Sequence, residues 1–225
     1  MNNFLTRYRN KRFYSKLIEK DALCFDIGAN HGSKSKLLLS LGAKVIAFEP
    51  QSSCWEVLTA LKNKNPDFDF HPFAVGAQED EKVLHLANHS EVATLSSAFV
   101  DYFTCDEIHW NETETVQVKS LDALIADFGL PDFCKIDTEG YELEILSHLS
   151  HPIPLIEFEF TGGFTEDTLK IIDLLDNGKT QFNYVRNEKL QFQFDRWVDA
   201  TTMKTVFKSL PKARLHGNIF VKNEQ

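Results

Sequence analysis

The chain is poor in the residues that would tie it to disulfides, zinc, membranes or nucleic acid. Its four cysteines, Cys24, Cys54, Cys105 and Cys134, fall in no C-x-x-C spacing. That excludes a thiol-redox motif, a zinc ribbon and a disulfide framework. Cys24 and Cys134 sit inside apolar strand patterns, where a thiol behaves as a small hydrophobe. No apolar run is long enough to cross a bilayer and no signal-peptide core opens the sequence, so the expectation is a cytoplasmic protein. Basic residues are outnumbered, 24 Lys and Arg against 33 Asp and Glu. The field that would hold a phosphate backbone is therefore missing, and nucleic acid is not expected as a partner. Internal repeats and low-complexity linkers are absent too. For 225 residues the expectation is a single domain over 21–225 preceded by an arm over 1–20.

The positive charge that is present is unevenly placed. Residues 1–20 hold Arg7, Arg9, Lys11, Arg12, Lys16 and Lys20 against Glu19, a balance of +5 that leaves −14 for the rest. Phe4, Leu5, Tyr8, Phe13, Leu17 and Ile18 recur there at roughly helical spacing. The arm reads as an amphipathic helix docked on the domain, its basic face turned to solvent, to an anionic substrate or partner, or weakly to a membrane surface.

Beyond the arm, short apolar runs alternate with helical patterns. Strands are predicted at Leu23–Ile27, 45–48, 68–75, 83–87, 116–119, 133–136, 155–160, 182–186, 190–194 and 218–221. Helices are predicted at 33–41, 52–62, 140–149, Thr165–Leu175 and 201–209, with another opened by Ser120 as its cap. Such alternation implies α/β architecture, a largely parallel sheet with helices on both faces. Segments 88–115 and 187–215 stand outside the pattern and read as substrate-recognition insertions.

The most informative stretch is Cys24-Phe25-Asp26-Ile27-Gly28-Ala29-Asn30-His31-Gly32, a strand, glycine turn and helix start of the nucleotide-cofactor type. A second strand follows and ends in Glu49-Pro50-Gln51. A carboxylate there is placed to accept the hydroxyls of a ribose. In a dinucleotide fingerprint a second glycine lets the backbone meet a pyrophosphate, and here Asn30 takes that place. S-Adenosylmethionine has no pyrophosphate. Asp26 and Asn30 suit its methionine tail, and Gly28 suits a close backbone approach. A nicotinamide cofactor, and with it an oxidoreductase, is the alternative that Asn30 argues against.

With FDIGANHG, VIAFEP and KIDTEGYELEIL in that order, the sequence resembles the FkbM-type S-adenosylmethionine-dependent methyltransferases over about residues 22–160. Asn218-Ile219-Phe220-Val221 fits the terminal strand. The resemblance implies a Rossmann-like seven-stranded methyltransferase sheet and O-methylation of a hydroxyl on a sugar, glycan or secondary metabolite. N-methylation of an amine or peptide is the alternative within the same chemistry. The expected cofactor-binding set is Asp26, Gly28, Asn30, His31, Gly32, Glu49, Pro50, Gln51, Ala74 and Asp137.

Methyl transfer to a hydroxyl needs alignment, exclusion of water and a group to take the proton. Asp137 and Glu139 sit where a strand meets its helix. Glu157 and Glu159 interrupt a strand that should be apolar on both faces. Asp137, Glu139 and Glu157 are the expected catalytic residues, and a divalent metal, if one takes part, would be held by the same three. Phe99, Tyr102, Phe103 and Trp110 suggest an aromatic platform for the acceptor, and Thr94, Leu95 and Ser96 read as a lid over the cofactor.

Overall fold

In the computed structural model, which describes residues 2–187, 189–213 and 215–223 (backbone alone for 2–5), the alternation of patterns becomes an alternation of elements. Along the chain these are α1 (Asn2–Tyr14), β1 (Leu23–Ile27), α2 (Ser33–Ser40), β2 (Lys44–Phe48), α3 (Trp55–Lys62), β3 (Phe68–His71), β4 (Ala74–Gly76), β5 (Asp80–Ala87) and α4 (Ser97–Phe103). They continue as β6 (Trp110–Ser120), α5 (Leu121–Phe128), β7 (Phe133–Ile136), α6 (Glu142–Leu146), β8 (Leu155–Thr161), α7 (Thr165–Leu175), β9 (Gln181–Arg186), α8 (Ala200–Ser209) and β10 (His216–Lys222).

Seven strands form one sheet in the order β3-β2-β1-β7-β8-β10-β9. The first five run parallel, and β10 lies antiparallel between β8 and β9. The chain winds outward from β1 to β3, then crosses back to continue from β7. The sheet therefore has its switch point between β1 and β7, where a crevice opens beyond the carboxyl ends of the strands. One face is covered by α1, α2 and α3 through Tyr14, Leu38 and Leu58. The other is covered by α5, α7 and α8 through Leu124, Leu169 and Met203.

Three departures from the sequence pattern have clear causes. The run 68–75 is two strands rather than one. Pro72 interrupts it, leaving β3 on the edge of the large sheet while β4 joins a second sheet, β4-β6-β5. Residues 110–115, expected to be irregular, are the first half of the long strand β6, which pairs with β5 and is mostly exposed there. The run 190–194 is not a strand. Leu190 and Phe192 instead fill a gap beside α1, where Phe192 meets Phe13 and Phe220, while Phe194 packs against Tyr184 in the other core. The arm packs through Phe13, Tyr14, Leu17 and Ile18, whereas Tyr8 is 61% exposed. The side chains of Phe4 and Leu5 lie outside the described residues.

The centre of the sheet is charged. Asp26 on β1, Lys135 on β7 and Glu157 on β8 stand in register across three neighbouring strands, on the face covered by α1 and α2. Lys135 Nζ lies 3.4 Å from both Asp26 Oδ1 and Asp137 Oδ2. It also donates to the carbonyls of Gly28 at 2.8 Å and Ile27 at 3.3 Å. Asp26 accepts from Ser35 Oγ at 2.5 Å. Glu157 accepts from Tyr14 Oη at 2.8 Å, Lys34 Nζ at 2.8 Å and Asn218 Nδ2 at 2.7 Å. Burial alone would drive the Lys135 ammonium toward neutrality, but Asp137, Asp26 and Glu157 outweigh it and raise its pKa. Breaking such a pair leaves an uncompensated buried charge. Lys135→Met should therefore destabilise the fold by about 3–5 kcal/mol, and Asp26→Asn in the same chain should restore part of the loss. Urea unfolding checks this, and a loss below about 1 kcal/mol for the single variant contradicts it.

Candidate active site

A cleft of about 630 Å³ opens at the switch point. Its floor is made by two loops that follow parallel strands. In the first, Gly28, Asn30 and Gly32 all have positive φ, at 70°, 48° and 72°. Asparagine is among the few residues with a side chain that tolerate this left-handed conformation. Asn30 uses its side chain locally: Oδ1 accepts from His31 N at 2.6 Å and Nδ2 donates to Ser90 O at 2.9 Å. It thus ties the segment after β5 down over the cleft. Gly28 is required for a reason internal to the fold, since a Cβ there would stand 1.9 Å from the Asp137 carbonyl oxygen.

The second loop is Asp137-Thr138-Glu139-Gly140-Tyr141-Glu142. Its shape comes from Glu142, whose carboxylate accepts from Thr138 N at 2.8 Å, Thr138 Oγ1 at 3.0 Å and Gly140 N at 3.1 Å. Glu139 is held at φ 56°, a strained conformation for a residue of its kind. Its carbonyl accepts from Thr94 Oγ1 at 2.7 Å. Gly140 admits Phe99, which a Cβ would meet at 2.8 Å.

Of the residues singled out from sequence for the cofactor, Gly28, Asn30, Glu49, Pro50, Gln51, Ala74 and Asp137 line the cleft. Asp26, His31 and Gly32 do not. Asp26 is fully buried beneath the floor and faces Lys135 and Ser35, so the structure makes it a support for the loop. Glu49, 5% exposed, has its two oxygens fixed by Asn30 N at 2.6 Å and Gln51 N at 2.8 Å. Burial raises its pKa while these two backbone donors oppose the shift. Gln51, also 5% exposed, has an amide oxygen without a partner.

Among the expected catalytic residues, Asp137 and Glu139 come together and Glu157 does not join them. The third carboxylate is Glu159, and the oxygens of Asp137, Glu139 and Glu159 lie within 4.8 Å of one another. Glu157 and Glu159 share a face of β8, but Glu157 sits one pleat further from the carboxyl end and is consumed by Tyr14, Lys34 and Asn218. The set able to hold a cation or a proton is accordingly Asp137, Glu139 and Glu159. The rule that ligands lie beyond the strand ends would have selected Glu159 from the sequence. Burial and then the neighbouring Asp137 raise the pKa of Glu139 and of Glu159 well above the usual carboxylate range.

The expected aromatic platform is packing. Phe99 is buried against Phe103, Trp110 and Phe164, and Tyr102 lies on Phe164 and Gly163. Ser90, Glu91, Ala93, Thr94 and Leu95 do line the cleft, and so do Thr6, Asn10 and Tyr14 from α1, a wall that no motif signalled.

A largely parallel sheet with a glycine turn, a strand-end carboxylate and a cleft at its switch point defines a Rossmann-like fold. The chain belongs to the FkbM methyltransferase family, whose methyltransferase domain matches residues 26–193. The hexuronic acid methyltransferase AglP of Haloferax volcanii is 24% identical over 155 residues, 62% of this chain and 55% of that protein, so the chain spans about half the length of this relative. Among solved structures, precorrin-6y C5,15-methyltransferase from Geobacter metallireducens is similar at 15% identity and a TM-score of 0.48, over 96% of this chain and 87% of its own. The ribosomal protein L11 methylase of Lactobacillus delbrueckii is similar at 13% identity and a TM-score of 0.46, over 99% and 81%. Among the described residues no helix is long and apolar enough to cross a membrane.

Glu142 gives the loop a signature in stability. Burial outweighs its backbone hydrogen bonds and raises its pKa from 4.5 to about 7. A carboxyl with a raised folded-state pKa favours folding at low pH and loses that contribution as pH rises through the shifted value. Stability should fall between about pH 4.5 and pH 7, and Glu142→Gln should flatten that limb. Thermal unfolding across this range checks it, and a limb unchanged by the substitution contradicts it.

Proposed function

We propose that this protein transfers a methyl group from S-adenosylmethionine to a hydroxyl of a sugar or secondary metabolite, with Glu139 or Glu159 taking the hydroxyl proton. One observation carries the reading: a buried carboxylate suited to a ribose, Glu49, and the Asp137–Glu139–Glu159 trio border the same cleft. The family supports the donor, and the hexuronic acid relative supports a sugar as acceptor.

The residues present fit a nucleoside. Glu49 is held rigid by Asn30 N and Gln51 N, so its remaining lone pairs are available to a diol without reorganisation. The partnerless amide oxygen of Gln51 is a buried acceptor that a hydroxyl or amine of the nucleoside would satisfy. Ala74, Val75, Leu84 and Leu95 supply apolar walls for a base. Asp137 carries the charge that suits an ammonium. When bound, the donor supplies a methyl on a cationic sulfur, a good leaving group.

The chain's remaining task is to orient the acceptor and remove its proton. Glu139 and Glu159 have raised proton affinity, so each is a stronger base than an ordinary carboxylate once ionised. Asp137 beside them stabilises the protonated product form. Asn30 and Thr94 tie the segment 90–95 over the site and exclude water. The same three carboxylates would hold a protonated amine, which makes N-methylation the second reading.

Glu139→Gln or Glu159→Gln should lower kcat by about 10²-fold or more, with S-adenosylhomocysteine affinity little changed. Wild-type kcat should rise with pH as Glu139 and Glu159 ionise, and the limb should move or vanish in the variant that removes the base. Glu49→Ala should weaken S-adenosylhomocysteine binding by about tenfold or more. Transfer of labelled methyl to a panel of sugars and amines, read beside calorimetry, checks all three. Full kcat in both glutamine variants overturns the assignment of the base, and labelling of amines alone selects the second reading.

A further inference from the structure

We infer that α1 is an anion-binding wall of the acceptor site: Arg7 and Arg9 hold an acidic group of the acceptor, a carboxylate or a phosphate, at the mouth of the cleft. The inference rests on the methyl-transfer reading and adds the charge of the substrate to it.

Thr6, Asn10 and Tyr14 all line the cleft and follow one another at intervals of four, so they form one stripe along α1. At 3.6 residues per turn, Arg7 flanks this stripe on one side beside Asn10, and Arg9 flanks it on the other beside Thr6. The helix cannot turn these residues away, because three contacts fix its rotation. Phe13 is wedged against Phe192 and Phe220, Tyr14 Oη is bound by Glu157, and Lys11 donates to Ser40 O at 2.7 Å. Arg7 and Arg9 are exposed and form no ion pair among the described residues.

The floor of the cleft has the opposite sign. Glu49, Asp137, Glu139 and Glu159 line it, with Glu91 on the segment above, and its two lysines, Lys34 and Lys135, are already paired with Glu157 and with Asp26 and Asp137. An anionic group on the acceptor would be repelled there and attracted to the rim. An acceptor with its acid at one end and its reacting hydroxyl at the other is therefore oriented with the hydroxyl toward the carboxylates. Guanidinium groups suit this task because their paired N–H donors match the oxygens of a carboxylate or phosphate. The arm lies N-terminal to residues 26–193, which the family domain matches.

The test is calorimetric titration of the full chain, with and without S-adenosylhomocysteine, using trigalacturonate, UDP-glucose and neutral galactotriose as probes. Trigalacturonate or UDP-glucose should bind about tenfold or more tightly than galactotriose. Which of the two binds separates a carboxylate from a phosphate. Arg7→Gln with Arg9→Gln should lower that affinity by about tenfold and leave S-adenosylhomocysteine binding unchanged. Lys16→Gln with Lys20→Gln, outside α1, should leave both unchanged. Equal binding of neutral and acidic probes overturns the inference. So does binding of neither acidic probe, an unaffected Arg7/Arg9 variant, or an equal loss in the Lys16/Lys20 variant. Failure of S-adenosylhomocysteine to bind speaks instead against the methyl-transfer reading and is recorded separately.

Discussion

A single buried ammonium organises the centre of this protein. Lys135 stands between Asp26 and Asp137, bonds to the carbonyls of Ile27 and Gly28, and neighbours Glu157 across the sheet. Four groups that would be costly to bury alone satisfy one another through it. The same contacts lock the end of β1 to the end of β7, the two strands between which the cleft opens. A slip of one residue in either strand would turn Lys135 or Asp26 into the apolar layer beneath α5. Register and the position of the glycine turn are thus set by charge as much as by apolar packing. Glu157 extends the network to α1 and α2, so the arm is anchored to the core by Tyr14 and Lys34.

Above this network the charges cease to be balanced. Asp137, Glu139 and Glu159 crowd together at the strand ends, and Glu139 sits in a strained backbone conformation. Burial and then this crowding raise the proton affinity of Glu139 and Glu159, and such arrangements gather where chemistry is done. The opposite sign is concentrated on α1, which lies N-terminal to the residues the family domain matches.

Much of this was legible in the chain. The runs Leu23–Ile27 and Thr165–Leu175 have the observed bounds, because Gly28 after the first and Asn177-Gly178 after the second stop them where the periodicity changes. Glu49 and Asp137 fall at strand ends, where the crevice of an open parallel sheet must lie. What could not be read depends on partners distant in sequence. Asp26 looks like a ligand residue from its place in the motif, yet Lys135, more than a hundred residues away, claims it. Asn30 keeps its place in the cleft lining, and nothing in the sequence shows that its amide also bonds Ser90. Phe99 and Tyr102 look like a platform until Gly140 and Gly163 show the surface they fill. Glu157 and Glu159 share one face, and only the depth of each along β8 separates a structural carboxylate from one in the cleft.

The proposal stands on a cleft shaped for a nucleoside that carries no pyrophosphate. The most direct test is a calorimetric titration with S-adenosylhomocysteine beside NADH. The account predicts that S-adenosylhomocysteine binds at a single site and that NADH does not. Binding of NADH, or of neither, would contradict it.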